Sequence, residues 1–262
     1  MVAYRSVLIT GASSGLGGEL ALACAAPGVG LHLSGRDPAR LEAAADGCRA
    51  RGAAVEARVL DVRDEAAMAE WIAAAGQLDL VVANAGISAG TGDGRTERAG
   101  QTRAVFATNL DGVLNTVLPA LAIMRRQPAV DGVRGRIGVV ASIAAFLPAP
   151  GAPAYCASKA AVDTWTVAAA VGARREGVLM SSICPGYVRT GMTAHNRFPM
   201  PGLMNADRAA RIILRGLAAG RPRIVFPWWM GLAASIGGLV PPRLLGKLMS
   251  IAPGKADLPS GP

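Results

Sequence analysis

The amino-acid sequence predicts an α/β fold, in which a mostly parallel, doubly wound sheet carries helices on both faces. Short apolar runs alternate with longer helix-like stretches along the chain, which is the pattern of successive βαβ units. The composition is 52% apolar and rich in Ala and Gly, which suits a buried parallel sheet covered by close-packed helices. Right-handed crossovers then place helices on both sides of the sheet.

Seven apolar runs are predicted as strands, and no change of composition marks a second domain. We expect a single domain over 1–262, with a core at about 5–226, an apolar C-terminal extension at 227–250 and a disordered tail at 253–262. The predicted strands are 7–10, 30–34, 54–60, 78–83, 135–141, 179–184 and 223–226.

Charge and cysteine usage exclude several kinds of protein. The four cysteines and two histidines show no paired spacing, so neither a zinc site nor a disulfide framework is indicated. The net charge of +9 comes from scattered arginines without a basic run interleaved with aromatic residues, so nucleic acid is not expected as a partner. The first residues run directly into an apolar strand with no signal-peptide pattern, and a cytoplasmic location is expected.

A glycine-rich turn, TGASSGLG at 10–17, follows the first strand and opens a helix. Gly11, Gly15 and Gly17 can form a tight turn, admit a pyrophosphate closely and let the helix pack. The structural alternative is a tight strand-to-helix connection without a ligand. By itself, therefore, the turn only suggests a dinucleotide.

Tyr155 and Lys159 stand four residues apart on a predicted helix, so both side chains face the same way and can act on one bound substrate. This pairing suggests proton transfer. Each candidate also has a structural alternative, because a Tyr-x-x-x-Lys pattern occurs by chance, Ser142 at a strand end can be a cap, and Asn109 can begin a helix.

Taken together and in this order, these motifs resemble the short-chain dehydrogenase/reductase family. The spacing Gly-x-x-x-Gly-x-Gly matches that family, and the likeness covers roughly residues 5–226. It implies a Rossmann-type sheet of seven strands. The other matching segments are Asp61-Val62, Asn84-Ala85-Gly86, Asn109, Ser142, Tyr155, Lys159 and Pro185-Gly186-Tyr187-Val188-Arg189-Thr190.

The resemblance also implies a nicotinamide dinucleotide site and no metal. Asp61 is expected near the adenine, Asn84 and Gly86 beside the cofactor, and Thr190 on its carboxamide. The cofactor-binding residues expected in full are Gly11, Ser13, Ser14, Gly15, Leu16, Gly17, Arg36, Asp61, Val62, Asn84, Ala85, Gly86, Tyr155, Lys159, Pro185, Gly186, Val188 and Thr190.

The implied catalytic residues are Asn109, Ser142, Tyr155 and Lys159. Tyr155 would donate its proton to a carbonyl oxygen while the nicotinamide delivers hydride, and Ser142 would polarise the same oxygen. Lys159, with the charge of the oxidised nicotinamide, is expected to lower the pKa of the tyrosine by ~2 to 3 units. Asn109 would hold a water that links Lys159 to solvent.

The end of the second strand decides between NADP and NAD, because an acidic side chain there accepts from both ribose hydroxyls and repels a 2′-phosphate. Asp37 precedes Pro38 and is predicted as a helix N-cap rather than a ribose ligand. Gly35 then takes the discriminating position, and Arg36 is available to a phosphate. NADP(H) is favoured, and NAD(H) is the alternative, in which Arg36 is a solvated surface charge.

Substrate choice is expected from 144–154, from Tyr187 and from the loop 192–204. The Met and Phe residues of that loop indicate an apolar, adaptable pocket. His195 in the same loop is expected to face solvent.

The stretch 224–242 lacks charge and approaches the length of a membrane span, but Pro227 and several glycines argue against spanning. Two interpretations of 227–250 stay open. One is a helix that covers the substrate pocket or forms a subunit contact, and the other is peripheral docking on a membrane.

The sequence thus predicts an NADP(H)-dependent oxidoreductase that interconverts a carbonyl and a secondary alcohol on a fairly apolar small molecule. The family habit implies a homodimer or homotetramer through helices around 109–124 and 155–172. The competing hypothesis is a non-catalytic cofactor-binding sensor or a membrane-peripheral scaffold. That hypothesis predicts a damaged catalytic set, whereas all four catalytic residues are present.

Overall fold

The strands of the protein form one central sheet and one very short ribbon. The computed structural model describes residues 4–92, 96–194, 196, 198–249 and 255. In chain order the strands are β1 (Ser6–Thr10), β2 (Gly30–Gly35), β3 (Ala54–Val59), β4 (Leu80–Ala83), β5 (Gly135–Val140), β6 (Val178–Pro185), β7 (Val188–Arg189), β8 (Met204–Asn205) and β9 (Arg223–Phe226).

The central sheet has seven strands in the order β3-β2-β1-β4-β5-β6-β9, and all of them pair in parallel. This confirms the predicted doubly wound, Rossmann-type sheet, and the ends of the seven predicted strands are correct to within two residues. The strands could be predicted because strands that are buried on both faces are continuously apolar. All four residues of β4 are apolar and buried.

Helices cover both faces of the sheet. Helices α1, α2 and α8 pack on one face through side chains such as Leu20, Leu41 and Ile213, and helices α3, α5 and α6 pack on the other through Trp71 and Val117. The helices are α1 (Gly15–Cys24), α2 (Pro38–Arg49), α3 (Glu65–Ala74), α4 (Ala99–Phe106), α5 (Gly112–Met124), α6 (Pro153–Arg175), α7 (Gly191–Ala194), α8 (Ala206–Ala218), α9 (Trp228–Gly238) and α10 (Pro242–Met249).

The strand order reverses between β1 and β4. From β1 the chain winds outward to β2 and β3, and from β4 it winds the other way to β5 and β6. A crevice opens outside the carboxyl ends of parallel strands at such a switch point, and it is where ligands bind in open α/β sheets. The glycine-rich turn follows β1 and Asn84 follows β4, so both lie at this crevice.

One helical run, Ala99–Met124, joins α4 and α5 through a π-helical turn at Ala107–Asp111 and is long and apolar enough to cross a membrane by length and composition. The core helix of a globular domain passes the same test. In α5 the apolar side chains Val113, Val117 and Leu121 belong to the core beneath the sheet. The run is therefore weak evidence for a membrane span.

The C-terminal extension folds into α9 and α10. Helix α9 packs against a short 3-10 turn, Ile143–Phe146, which follows β5. Of the tail predicted to be disordered, 253–262, the structure describes Lys255 alone, and this residue is hydrogen-bonded to Gly92 and Gly151. The other residues of that prediction lie outside the described part of the chain.

Candidate active site

A cavity of about 1030 Å³ opens at the carboxyl ends of β1, β4, β5 and β6. Among the residues predicted for the site, Gly17 and Asn109 alone are not in its lining. The predicted residues that line it are Gly11, Ser13, Ser14, Gly15, Leu16, Arg36, Asp61, Val62, Asn84, Ala85, Gly86, Ser142, Tyr155, Lys159, Pro185, Gly186, Val188 and Thr190.

The glycine-rich turn forms one wall of the cavity and is held by the strand beside it. Gly11 has a φ of 66°, and a Cβ there would lie 2.8 Å from the Ala85 Cα, so both the conformation and the space require glycine. The Thr10 hydroxyl accepts from the backbone nitrogens of Asn84 and Ala85, and the Asn84 amide donates to the Gly11 carbonyl at 3.1 Å. The Asn84 side chain therefore fixes the turn.

Helix α1 begins at this turn with its first backbone N–H groups toward the cavity. Ser14 stands at the N-cap but makes no side-chain capping bond, and the first turn carries no acidic residue. Open N–H groups and the helix dipole form a site for a phosphate. The geometry at 11–17, with its glycine cradle, fits the pyrophosphate of a dinucleotide.

The end of β2 carries the residues predicted to choose between NADP and NAD. Asp37 accepts from the Arg40 backbone nitrogen at 3.0 Å and pairs with its guanidinium at 3.3 Å, which confirms the N-cap interpretation. A Cβ on Gly35 would lie 2.9 Å from the Ser13 Cβ, so no acidic side chain fits there without a shift. Arg36 and Arg40 are both exposed and both line the cavity. Arg40 was missed because its position appeared to belong only to the helix.

Asp61, expected near the adenine, forms a close pair with Arg63. The guanidinium lies 2.6 Å from the carboxylate and also donates through Nε, and these bonds hold the pKa of Asp61 below its usual range. The carboxylate is thus ionised and oriented at the rim of the cavity.

Tyr155 and Ser142 meet at the floor of the cavity. Tyr155 lies in the first turn of α6 and is 8% exposed, and Ser142 follows β5, where its Oγ accepts from the Ala144 nitrogen at 3.1 Å. Burial raises the pKa of Tyr155 to about 12, although its hydrogen bond with Ser142 lowers that pKa in part. The phenol is therefore protonated at neutral pH and lies beside a second hydroxyl.

Lys159 lies one helical turn beyond Tyr155 but does not bond to it. Its Nζ donates to the Val140 carbonyl at 2.7 Å and lies 5.9 Å from the centroid of the Tyr155 ring. Burial lowers the pKa of Lys159 to about 8. Desolvation of the phenol dominates the pKa of Tyr155 here, and the lowering expected from Lys159 together with the charge of an oxidised nicotinamide stays a prediction.

Asn109 lies behind the cavity in the π-helical turn and is fully buried. Its Oδ1 accepts from the Ile87 nitrogen at 2.8 Å, and its Nδ2 donates to the Ile87 carbonyl and to the Ser158 hydroxyl. These protein contacts use its side-chain amide, and the water that Asn109 is expected to hold toward Lys159 stays a prediction. The amide fixes the segment after β4 against α6.

The predicted substrate side is largely apolar. Tyr187 packs edge-on against Phe198, with ring centroids 6.0 Å apart, and the wall continues through Leu147 and Met192. Helix α9 contributes Met230, Ala233 and Ala234, so it covers the pocket as the first interpretation of 227–250 expected.

Two residues predicted for the substrate loop, Met200 and Met204, lie elsewhere. Among the described residues, Met200 and Met204 are outside the lining of the cavity, and Met204 packs in the core beside α8 instead. His195 lies outside the described residues. Besides Arg40, sequence reasoning missed the lining residue Lys255, which lacks any motif.

Comparisons with known proteins agree with this geometry. A family model described as short chain dehydrogenase matches residues 5–199. An uncharacterized oxidoreductase of Myxococcus xanthus is 38% identical over 244 residues, which cover 92% of this chain and 94% of that protein.

Two solved structures have the same fold along most of their length. A short-chain dehydrogenase from Sphingobium yanoikuyae in complex with NADPH has a TM-score of 0.77 and 26% identity, over 90% of this chain and 94% of that one. A short chain dehydrogenase/reductase from Burkholderia phymatum in complex with NAD has a TM-score of 0.79 and 25% identity, with full coverage of both chains.

Proposed function

The chain belongs to the short-chain dehydrogenase family, and from this premise we propose that it reduces a carbonyl compound to a secondary alcohol, or the reverse, with NADP(H) as the hydride carrier and Tyr155 as general acid/base. The chain is an oxidoreductase of this family. The proposal adds the cofactor preference, the substrate and the roles of the residues. The observation that carries the proposal is the pair of hydroxyls, Tyr155 and Ser142, at the floor of the cavity.

The chemistry needs one proton for each hydride. A bound nicotinamide supplies the hydride to the carbonyl carbon in reduction and accepts it in oxidation. The Tyr155 hydroxyl donates its proton to the developing alkoxide oxygen, and Ser142 hydrogen-bonds the same oxygen. The phenol of Tyr155 is protonated at neutral pH, as a donor must be, and the charges of Lys159 and of the oxidised nicotinamide would offset the burial that raises its pKa.

Lys159 acts behind the tyrosine. Its bond to the Val140 carbonyl anchors the ammonium to the end of β5. When the phenol loses its proton, a cation at this distance stabilises the phenolate, and one charge in a poorly solvated cavity acts more strongly than it would in water. Ser158, which accepts from Asn109, fixes the same turn of α6.

NADP(H) is the proposed cofactor because two arginines and no acidic ribose ligand stand at the end of β2. Asp37 also lines the cavity, but it caps α2 and pairs with the Arg40 guanidinium, and Arg36 lines the cavity beside this pair. A 2′-phosphate would gain charge-assisted hydrogen bonds from either guanidinium. The structural relatives include complexes with NADPH and with NAD, so NAD(H) is the competing outcome.

Exposed apolar side chains support the proposed homodimer or homotetramer. Leu118 on α5 is 52% exposed and Val171 on α6 is 63% exposed. Both lie on the helices expected to form the subunit contact, and burial in an assembly would remove this apolar area from water. Equilibrium sedimentation of the wild type and of a Leu118→Asp/Val171→Asp variant tests this subunit contact. The wild type is expected to be oligomeric and the variant monomeric, and a monomeric wild type contradicts the proposal.

A second candidate role, peripheral docking on an anionic membrane, rests on the outer face of α9. While Met230 and Ala234 face the cavity, Trp228, Leu232 and Ile236 are exposed at a spacing of four residues, which places them on one side of the helix. The segment 227–250 contains no acidic residue, and Arg243 and Lys247 are exposed on α10. An interfacial helix that meets acidic head groups has this pattern.

Flotation with vesicles of phosphatidylglycerol and phosphatidylcholine tests the docking role. The wild type is expected to float and a Trp228→Ser/Ile236→Ser variant to remain at the bottom. Docking is excluded if both proteins remain at the bottom. It is also excluded if sedimentation shows that this face joins two copies of the chain. The expected cytoplasmic location stays a prediction.

The catalytic proposal is tested with wild-type enzyme on a panel of aliphatic, aromatic, steroid-like and quinone carbonyls, with oxidation of NADPH and NADH followed in parallel. Turnover with preference for NADPH supports the proposal. Binding of either cofactor without turnover of any carbonyl would favour the competing hypothesis of a non-catalytic cofactor-binding sensor.

A further inference from the structure

Lys255 reaches the cavity from the far end of the chain and is fixed there by its backbone. Its nitrogen donates to the Gly151 carbonyl at 3.2 Å, and its carbonyl accepts from the Gly92 nitrogen at 2.8 Å. Gly90 leaves the room for it, since a Cβ on Gly90 would lie 2.6 Å from the Lys255 Cβ. The residue thus sits between the segment after β4 and the segment before α6.

The side chain of Lys255 points to the reacting end of the cavity. Its Nζ donates to the Ser88 hydroxyl at 2.8 Å and lies 3.8 Å from the centroid of the Tyr155 ring. This places a second ammonium beside Tyr155, on a different segment from Lys159.

This ammonium has no carboxylate partner among the residues that the structure describes. A buried cation without a counter-ion is costly, and the cost falls when an anion binds beside it. The pKa of Lys255 is lowered to about 8 by burial, in agreement with this position. Ser88 accepts from Nζ and orients the ammonium from behind, because Lys255 lines the cavity and Ser88 does not.

We propose that the substrate carries a carboxylate, and that Lys255 binds this group while the carbonyl of the substrate lies at Tyr155 and Ser142. This inference rests on the proposed function and refines it, because the rest of the substrate still meets the apolar wall of Leu147, Met192 and Met230. One ammonium matches a group of one negative charge, so a carboxylate fits better than a phosphate ester. The substrate class is then an oxo acid or hydroxy acid with an apolar chain.

The binding test uses saturated carboxylates, which cannot react. Butanoate, hexanoate and octanoate are compared by calorimetry with their primary amides, on full-length enzyme saturated with NADP⁺. The variants are Lys255→Met and a control, Arg126→Met, which removes an exposed cation at the end of α5 outside the cavity lining.

In the wild type the carboxylate is expected to bind about 10-fold or more tightly than its amide, which is the scale of a charge-assisted hydrogen bond. The ratio should fall to about 2 or less in Lys255→Met, as expected once that bond is lost, and persist in Arg126→Met. A wild-type ratio near 1, no binding of either ligand by the wild type, or an unchanged ratio in Lys255→Met overturns the proposal.

A kinetic test separates this inference from the proposed function. Oxo acids of increasing chain length are compared with their methyl esters as substrates for wild type, Lys255→Met and Tyr155→Phe. The inference predicts that Lys255→Met lowers kcat/KM for the acid at least about 10-fold and changes that for the ester much less. Equal losses of kcat/KM for acid and ester in Lys255→Met would overturn the inference and show that Lys255 acts on Tyr155 instead. In that case the proposed function would still stand if Tyr155→Phe loses turnover of the ester.

Discussion

The Nζ of Lys159 donates a 2.7 Å hydrogen bond to the carbonyl oxygen of Val140, the last residue of β5. Helix α6, which carries Tyr155 and Lys159, is thereby tied to the strand that precedes Ser142. The bond also holds an ammonium in a fully buried position, and this burial has consequences for stability as well as for catalysis.

The burial of Lys159 predicts a pH-dependent difference in stability between the wild type and Lys159→Met. Its pKa falls from the ordinary 10.5 to about 8 on folding, so between those values the unfolded chain binds more protons and the stability of the wild type rises with pH. Titrations of other groups are common to both proteins and cancel in the difference. Urea unfolding at pH 7 and at pH 9.5 should shift this difference by about 2 kcal/mol in favour of the wild type. A difference that stays constant would show that the ammonium is not buried in solution.

Arg36 is predicted to set the cofactor preference. Replacing it with alanine removes a guanidinium from the rim of the cavity, so kcat/KM with NADPH should fall about 10-fold or more, whereas the value with NADH should change less than about twofold. Steady-state kinetics with both cofactors measure this, and Arg126→Ala is the matched control. Equal losses with both cofactors would mean that Arg36 does not contact a 2′-phosphate.

The close packing of Gly17 predicts a large effect of a single methyl group. A Cβ at this position would overlap the Gly11 carbonyl and the Asn84 amide, which together form the turn. Gly17→Ala should lower the free energy of unfolding by about 1 to 3 kcal/mol and weaken NADPH binding. In Gly100→Ala the added Cβ meets no atom within 4 Å. Helix α4, which contains Gly100, should therefore keep or gain stability. Similar losses in both variants would contradict the packing argument.

Removal of the Asp163 charge is predicted to lower the free energy of unfolding more than removal of an exposed carboxylate. Its carboxylate, 5% exposed, accepts from Ser182 at 2.6 Å and pairs with Arg223 at 2.8 Å, which joins α6 to β6 and β9. Asp163→Asn should lower the free energy of unfolding in urea by about 2 to 4 kcal/mol, because the Asp163 side of the ion pair is buried. Glu70→Gln, which breaks the exposed pair with Arg58, should cost less than about 1 kcal/mol. Equal costs would show that burial does not set the strength of these pairs.

Local sequence features predicted the fold and most of the residues that line the cavity. Asp37 could be recognised as an N-cap because the next residue, Pro38, fixes the first turn of α2, and its bond to Arg40 confirms that. The glycine-rich turn and Asn84 could be placed together because each follows a strand, and the carboxyl ends of parallel strands meet at one edge of the sheet.

Burial and long-range contacts could not be read in this way. The pKa of Tyr155 depends on how completely the loops and α9 exclude water, and the spacing of Tyr155 from Lys159 carries no information on that. Lys255 lacks a motif, and its place beside Tyr155 became known only from the structure. Asn109 was located correctly in the chain, but its partner Ile87 became known only from the structure.

The assignment of Tyr155 as the proton donor is tested by Tyr155→Phe with the best carbonyl substrate and with NADPH binding measured alongside. We expect kcat to fall by about 100-fold or more while the Kd of NADPH changes less than about threefold, because the ring remains and only the hydroxyl is lost. If the variant retains turnover close to that of the wild type, another group donates the proton and the assignment of Tyr155 is wrong.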